Sequence, residues 1–525
     1  MAVQITHVPD LELTTPRPVT RRAPARSAVA VAVVVGLGVA LRTYTASATW
    51  LDETLTINIA SLPLSQLPSA LRVDGAPPLY YVLLHGWMQL FGASDLAARS
   101  LSGLFSIATL PLAWAAGRRA AGPAGARAAL LLLSTSPFAV YYATEARMYA
   151  LVMLLVFAGY LLLQRALTRP SLARLWPVTV IAGALSLTHY WALFLLTALG
   201  LLLVRRARRG GTPAERRAAL RCLLATALGG VLFLPWLPTF LFQAQHTGTP
   251  WAQPAQYSAL VHAVGEWAGG VSTAGRVLGL LFLLLAVVGL LGTRLDERRM
   301  IIDVAASGEA VALGWVFAGT IVIALTAGLV SGSGFDGRYT SVAFPPFLLL
   351  TVRGVRALPQ QAARPVLVLA VVAGLATALG NPTSRLKTDA DLVAAAIRPT
   401  AHAGDMVIYC PDQLGPAVSR HLPTWLEQQV FPGGGPPQRV NWVDYERRNT
   451  AADPQAFAGA VARRAVPGSH VWLVYGTDYR TYEGKCDGLA SALSGLGATH
   501  PTLDAQPRYY EHPSLIRVDV RAGTR

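Results

Sequence analysis

The chain has 525 residues, of which 53% are hydrophobic and 14% charged, and its mean hydropathy is +0.43. A soluble domain carries about 25% charged residues, so this composition excludes a disordered chain, a collagen-like chain and an ordinary soluble enzyme. The formal charge of +16 does not imply a nucleic-acid partner. Its cations are nearly all arginines, only Lys387 and Lys485 being lysines, and most lie between apolar runs, where topology determinants belong. Three cysteines exclude a disulfide framework.

Residues 1–26 are polar and read as a cytoplasmic tail. No small-residue cleavage site follows before Trp50, so a cleavable signal peptide is not expected. The apolar run 27–41 reads as a first membrane helix. Further spans are predicted at about 96–116, 126–142, 147–165, 176–188, 190–204, 221–241, 276–293, 310–330, 340–352 and 365–380, eleven in all. This count leaves the arginine clusters at 118–127, 205–221 and 353–364 inside, and isolated arginines such as Arg42, Arg99, Arg147 and Arg338 outside. That is the positive-inside asymmetry. The stretch 176–204 is long for one span and short for two. Two helices meeting near His189 keep the later arginines inside.

The first outer loop, 43–95, contains the acidic pair Asp52-Glu53 and an apolar, aromatic piece, Leu79–Phe91, that is too short to cross and reads as interfacial. The region 385–525 is polar and reads as a small extracytoplasmic α/β domain. Its runs 405–409 and 471–475 read as buried strands, 515–520 as an edge strand, and 389–397 and 454–464 as helices. Cys410 and Cys486 fall here; they either form a disulfide or stay as unpaired thiols. The expected fold is an α-helical polytopic membrane protein of about eleven transmembrane helices, with its membrane domain over 27–384 followed by this α/β domain. No P-loop, dinucleotide fingerprint or HExxH motif occurs.

Four places carry residues suited to chemistry, all predicted on one membrane face. Asp52 and Glu53 have apolar neighbours, and a carboxylate there suits removal of a hydroxyl proton. Glu145 and Arg147 occupy a short turn between two spans, where charges are expensive unless paired or functional. His189 and Tyr190 lie at a helix junction. Arg338 and Tyr339 end a span, and a guanidinium fork suits two phosphate oxygens. Each also has a structural reading: a solvated acid, an ion pair anchoring a turn, a hydrogen-bonding histidine, and an arginine that either snorkels or forms a salt bridge with Asp336. Together they suit transfer of a group from a lipid phosphate to a hydroxyl.

At these residues the chain resembles the GT-C class of membrane glycosyltransferases, in the family that includes protein O-mannosyltransferases, the lipid A aminoarabinose transferase and the rhizobial lipopolysaccharide-core transferases. The matching pieces are Trp50-Leu51-Asp52-Glu53, Pro77-Pro78-Leu79-Tyr80-Tyr81, Leu90-Phe91-Gly92 with Ala97-Ala98-Arg99-Ser100, Tyr141 to Leu151, Thr188-His189-Tyr190, and Gly337-Arg338-Tyr339 with Pro345-Pro346. The resemblance implies an inverting transferase that uses a polyprenyl-phosphate sugar on the extracytoplasmic side. It implies Asp52 as base, Glu53 supporting it or contacting the acceptor, Glu145 in a second functional loop, and Arg147, His189 and Arg338 at the donor head group. The acceptor, whether cell-wall glycan, glycolipid or protein, is left open, as is a divalent cation. The family's histidine before the paired prolines is replaced by Ala76, so any role of that side chain is lost, and Asp74 is the nearest substitute. A transporter or lipid flippase would carry mid-span charges and paired halves, whereas mid-span charges are few and no repeat is found. An inactive glycan-binding scaffold would not need the acids.

Overall fold

The computed structural model describes residues 24–521 apart from 44, 46, 250, 251, 253, 254, 271, 303–307 and 381–385. Residues 1–23 of the expected tail, and the expected boundary at 384, lie outside the described residues. The first helix, α1 (Pro24–Leu41), is apolar. It is followed by Arg42, whose buried guanidinium donates to Gly38 O, Leu133 O, Ser134 O and Ser106 Oγ at 2.6–2.9 Å. These acceptors replace the water that the cation has lost and pin α1 to its neighbour. Arg42 is therefore an internal tie and not the loop residue expected.

The first outer loop folds as three short helices: α2 (Leu51–Ala60), α3 (Leu67–Asp74) and α4 (Leu79–Phe91). Next, α5 (Asp95–Ser134) consists of two segments, broken at Ala121 (φ −147°) and Gly122 (φ +71°). In a straight helix Gly117 and Gly125 would lie about 12 Å apart. Here a Cβ on Gly117 would sit 2.5 Å from the Gly125 carbonyl oxygen, so the chain doubles back as a hairpin. These segments correspond to the first two spans after α1. The second stops at Ser134, short of the predicted 142. Ser136 accepts the Ala139 N–H, and Pro137 opens α6 (Pro137–Ala143).

The bundle continues through α7 (Tyr149–Thr168), α8 (Leu172–Thr188), α9 (Trp191–Arg209) and α10 (Pro213–Val231). Helices α8 and α9 meet at His189 and Tyr190. Helix α10 starts ahead of the predicted 221 because Thr212 and Glu215 form a capping box. Then come α11 (Leu237–His246), α12 (Ala259–Trp267), α13 (Thr273–Leu291), α14 (Gly308–Ser331), α15 (Phe344–Ala357) and α16 (Gln360–Gly380). A small hairpin, β1 (Gly292–Arg294) with β2 (Met300–Ile302), precedes α14. The predicted span at 340–352 opens later than expected: residues 337–342 form a 3-10 turn, and the helix proper starts at Phe344 with Pro345 in its first turn. Glycines let α13 and α15 touch backbone to backbone: a Cβ on Gly289 would fall 1.9 Å from Leu350 O. Among the described residues, six helical stretches are long and apolar enough to cross a membrane, and 28–41 and 172–188 are shorter apolar ones.

The C-terminal domain runs α17 (Ala390–Ile397), β3 (Met406–Cys410), α18 (Gly415–Ser419), β4 (Glu427–Val430), α19 (Tyr445–Thr450), α20 (Pro454–Arg464), β5 (His470–Tyr475), α21 (Lys485–Ser494), β6 (Gly497–Leu503), β7 (Ser514–Val520). The strand order is β4-β3-β5-β7-β6, with β3 parallel to β4 and β5, and β7 antiparallel to β5 and β6. Helices α17 and α18 pack on one face through Val407, Tyr409 and Val474. Helices α20 and α21 pack on the other through Ile408 and Leu473. Strand β7 is thus internal, which corrects the edge assignment for 515–520. The edge is β6, whose Pro501 suits that position.

This domain docks on the first outer loop. Trp50, Leu51 and Leu55 of that loop share its core, and backbone bonds join Trp442 N–H to Val73 O (3.1 Å) and Asp444 N–H to His246 O (2.7 Å). Cys410 and Cys486 are joined by a disulfide between positions 76 residues apart. A closed loop of that size contributes roughly 2–4 kcal/mol. Replacing both cysteines by serine is expected to lower the unfolding free energy of the sheet domain by that amount, and with it the denaturant midpoint, while the bundle's helicity persists. Urea titration followed by fluorescence and circular dichroism checks this; an unchanged midpoint would mean the bond contributes nothing.

Candidate active site

Helix α2 begins without a cap of its own. Trp50 is extended at the N-cap and makes no side-chain capping bond. The cap comes from the sheet domain: the Glu511 carboxyl accepts the Leu51 N–H at 3.0 and 3.3 Å. Asp52 and Glu53 follow, and side chains at successive helical positions diverge by about 100°. The acidic pair therefore splits.

Glu53 points inward and is fully buried. Arg99 grips it in a fork at 2.6 and 2.7 Å, the Ala146 N–H donates to it at 2.9 Å, and Lys387 Nζ lies 3.8 Å away. Burial alone would raise this carboxyl, but Lys387, Arg99 and the hydrogen bonds hold it below the ordinary range. Glu53 lines neither of the cavities described below, so the expected acceptor contact does not fit it, while the supporting role does. Glu145 joins the same network. It accepts the Trp50 indole N–H at 2.8 Å and lies 3.8 Å from Lys387 Nζ, and burial raises its carboxyl.

Asp52 points outward. Its Oδ2 accepts from Arg338 Nη1 at 2.6 Å, and Arg147 Nη2 is 3.9 Å away. Arg338 is held from behind by Asp336, at 2.9 and 3.2 Å. Arg147 donates to Thr56 Oγ1 at 2.9 Å, and its Nε is buried without a partner. Asp52, Arg147 and Arg338 line a cavity of about 360 Å³ that also takes in His189, Tyr190 and Tyr339. All the expected site residues other than Glu53 and Glu145 converge there. The cavity extends between apolar residues of α9, α11 and α14, including Phe194, Phe240 and Ala327.

His189 ends α8, and its Nδ1 accepts the Trp191 N–H at 3.2 Å, which leaves the ring proton on Nε2. Burial first, then Arg147 and Arg338, push this imidazole down to about 3. It is a neutral donor. Tyr190 turns to Gln243 and the Trp236 indole, and Tyr339 stacks near His189, with ring centroids 5.5 Å apart. Asp74 also lines the cavity, where it accepts from Tyr81 Oη at 2.9 Å, and burial raises its carboxyl.

Sequence reasoning missed Lys387 and Glu511. Lys387 is buried, donates to Thr144 O at 3.2 Å and bridges Glu53 and Glu145. Its one signal was its type, a lysine where 42 of 44 cations are arginines. Among the described residues one group has metal-like spacing, His402, Asp405 and His470. It lies at the start of β3 and β5, and the Asp405 oxygens already accept N–H bonds from His402 (2.9 Å) and His470 (2.7 Å).

Residues 75–238 match the family model for dolichyl-phosphate-mannose-protein mannosyltransferase. The chain is similar to the crystal structure of ArnT from Cupriavidus metallidurans in the apo state, at 12% identity and a TM-score of 0.57, over 94% of this chain and 98% of that one. The same protein bound to undecaprenyl phosphate aligns at 12% identity and a TM-score of 0.51, over 93% and 97%. The S. cerevisiae Pmt1-Pmt2 protein O-mannosyltransferase complex bound to the sugar donor aligns over 44% of this chain and 36% of that one, at 17% identity and a TM-score of 0.33. No curated protein matches the chain in sequence. At these identities the likeness establishes the fold, which is that of ArnT.

Lys387→Ala leaves two buried carboxylates short of a cation, and loss of such a partner costs about 3–5 kcal/mol. The variant is expected to lose thermal stability on that scale in a detergent melt. A second test concerns Glu511, which burial raises from 4.5 to about 8. Between those values the folded state binds more protons than the unfolded one, so stability falls as pH rises. Glu511→Gln keeps an acceptor for the Leu51 N–H and removes the titration. Its melting temperature should fall less across that pH window than that of the parent chain.

Proposed function

The chain has the GT-C glycosyltransferase fold, and from that premise we propose that it moves a sugar, with inversion, from a polyprenyl-phosphate donor to a hydroxyl acceptor on the outer face of the membrane. The observation that carries this reading is the convergence of one carboxylate, Asp52, with two guanidiniums, Arg338 and Arg147, on a cavity that runs on between apolar helix faces. A lipid phosphate needs fixed cations beside an apolar groove, and an incoming hydroxyl needs a base. The outer-face assignment is supported by the arginine asymmetry between loops.

In the resting site Arg338 occupies the Asp52 oxygen. A phosphodiester that takes up the guanidiniums of Arg338 and Arg147 frees that oxygen. The acceptor O–H then gives its proton to Asp52 while its oxygen attacks the anomeric carbon. The bond from that carbon to the phosphate oxygen breaks, and the electron pair leaves with the prenyl phosphate, which becomes a dianion. The two arginines and the Nε2–H of neutral His189 stabilise that growing charge more than they stabilise the bound donor, which is the source of rate. Asp336 keeps Arg338 in place when Asp52 lets go.

Asp52→Asn is expected to reduce transfer by roughly 10²–10⁴-fold, the usual contribution of a general base, with expression and donor binding intact. Labelled-sugar transfer from a polyprenyl-phosphate donor measures it, and full activity would remove the proposed base. Arg338→Ala should reduce kcat by roughly 10²–10³-fold and raise the donor KM, with a smaller change in the acceptor KM. Equal shifts in both constants would argue for a structural arginine.

A further inference from the structure

Strands β3 and β5 run parallel and end side by side, Cys410 opposite Tyr475. The chain leaves β3 toward α18 on one face of the sheet and leaves β5 toward α21 on the other. This divergence opens a crevice at the carboxyl ends, the position at which open α/β sheets bind ligands. Gln413 after β3, and Gly476, Thr477 and Asp478 after β5, line it. The opposite wall belongs to the membrane module: Trp50, Leu51, Asp52 and Arg338. The crevice, open on one side, has a volume of about 1050 Å³, above the range of about 300–1,000 Å³ usual for one small molecule. Asp52 and Arg338 line both this crevice and the 360 Å³ cavity, so the two spaces meet at the proposed base.

We propose that the crevice is the acceptor subsite, built jointly by the two domains, and that its ligand is a neutral saccharide chain. This rests on the transferase reading above and names its acceptor class. Tyr510 stands on the crevice wall 63% exposed, edge-on to Trp50 at 5.3 Å, and offers its ring to the apolar face of a sugar. Gln413, Thr477 and Asp478 supply the donors and acceptors that sugar hydroxyls need. Besides Glu511, which burial keeps largely protonated below about pH 8, four acidic side chains face the space, against Arg338, Arg480 and His512. An anionic acceptor is disfavoured there, whereas the neighbouring cavity gathers Arg147 and Arg338 for a phosphate. One common way to hold an extended peptide is to pair it with a strand edge, and the crevice offers none. The sheet's edges are β4 and β6, and the crevice is made from the ends of β3 and β5.

The test uses the full chain in lipid nanodiscs. The probes are labelled neutral trisaccharides of hexose and of pentose units, the same trisaccharides carrying a phosphate ester, and a Ser/Thr-rich octapeptide. Undecaprenyl phosphate is titrated in parallel. A neutral trisaccharide is expected to bind at least ten-fold more tightly than its phosphorylated form. Tyr510→Ala should weaken that binding at least ten-fold and Tyr510→Phe should keep it, while undecaprenyl phosphate affinity stays constant across all three proteins. Undecaprenyl phosphate binding without saccharide binding would overturn this inference and leave the transferase reading standing. So would preference for the phosphorylated form, octapeptide binding that Tyr510→Ala abolishes, or saccharide binding untouched by Tyr510→Ala. Saccharide binding by a wild type that ignores undecaprenyl phosphate would sink the transferase reading, and the acceptor role with it.

Discussion

Lys387 lies buried between Glu53 and Glu145, 3.8 Å from each, and Arg99 closes the far side of Glu53 at 2.6 Å. Charges withdrawn from water cost several kcal/mol apiece unless each meets its partners. At an effective dielectric near 20, a pair about 4 Å apart recovers roughly 4 kcal/mol. The cluster is therefore tolerable only when complete. Its members come from α2, the turn after α6, α5 and the segment leading into the sheet domain. Completing it brings all four together at one point. The two domains are in this sense a single electrostatic unit, and Glu511 capping α2 from a distance of 460 residues adds a second tie of the same direction.

The consequence for chemistry follows from helix geometry. Helix α2 has ten residues, and isolated helices under about 12–15 residues are marginal in water. It holds its place through Glu511 at its start and Glu53 locked in the charge cluster. With Glu53 anchored, the residue before it has one direction left, and Asp52 faces the cavity. Adjacent acids that look like a catalytic pair divide into a buried anchor and a group that lines the cavity.

This division marks the boundary of what the sequence could reveal. The apolar runs placed the bundle helices to within a few residues, because a run of that kind has few other uses. Where they erred, local chemistry had intervened: the capping box at Thr212 extended α10, and Ser136 with Pro137 restarted the chain after α5. The polar strand β4, Glu-Gln-Gln-Val, and the exposed β6 carry no hydrophobic alternation, so the sheet's outer members were invisible and β7 was taken for an edge. Arg147, His189 and Arg338 were legible as charges or imidazole at helix ends. Their meeting with Asp52 was not, since Arg338 lies 286 residues away from it in the chain. Lys387 was hidden for the same reason: its partners define it, and they lie far off in sequence.

Arg338 stands where the two spaces meet. It faces the proposed donor cavity and the proposed acceptor crevice at once, with Asp336 behind it and Asp52 in front. Because Asp336 alone satisfies two of its nitrogens, the guanidinium need not move when Asp52 is displaced. In the proposed mechanism a phosphate anion arriving at this point takes the place of Asp52 on the same cation, and Arg147 beside it offsets the charge of the displaced carboxylate. The released carboxylate then looks into the crevice, where a hydroxyl would approach. Under the proposed mechanism, binding of the lipid donor and readiness of the base would be one event, so that no free carboxylate stands beside water before the donor is in place.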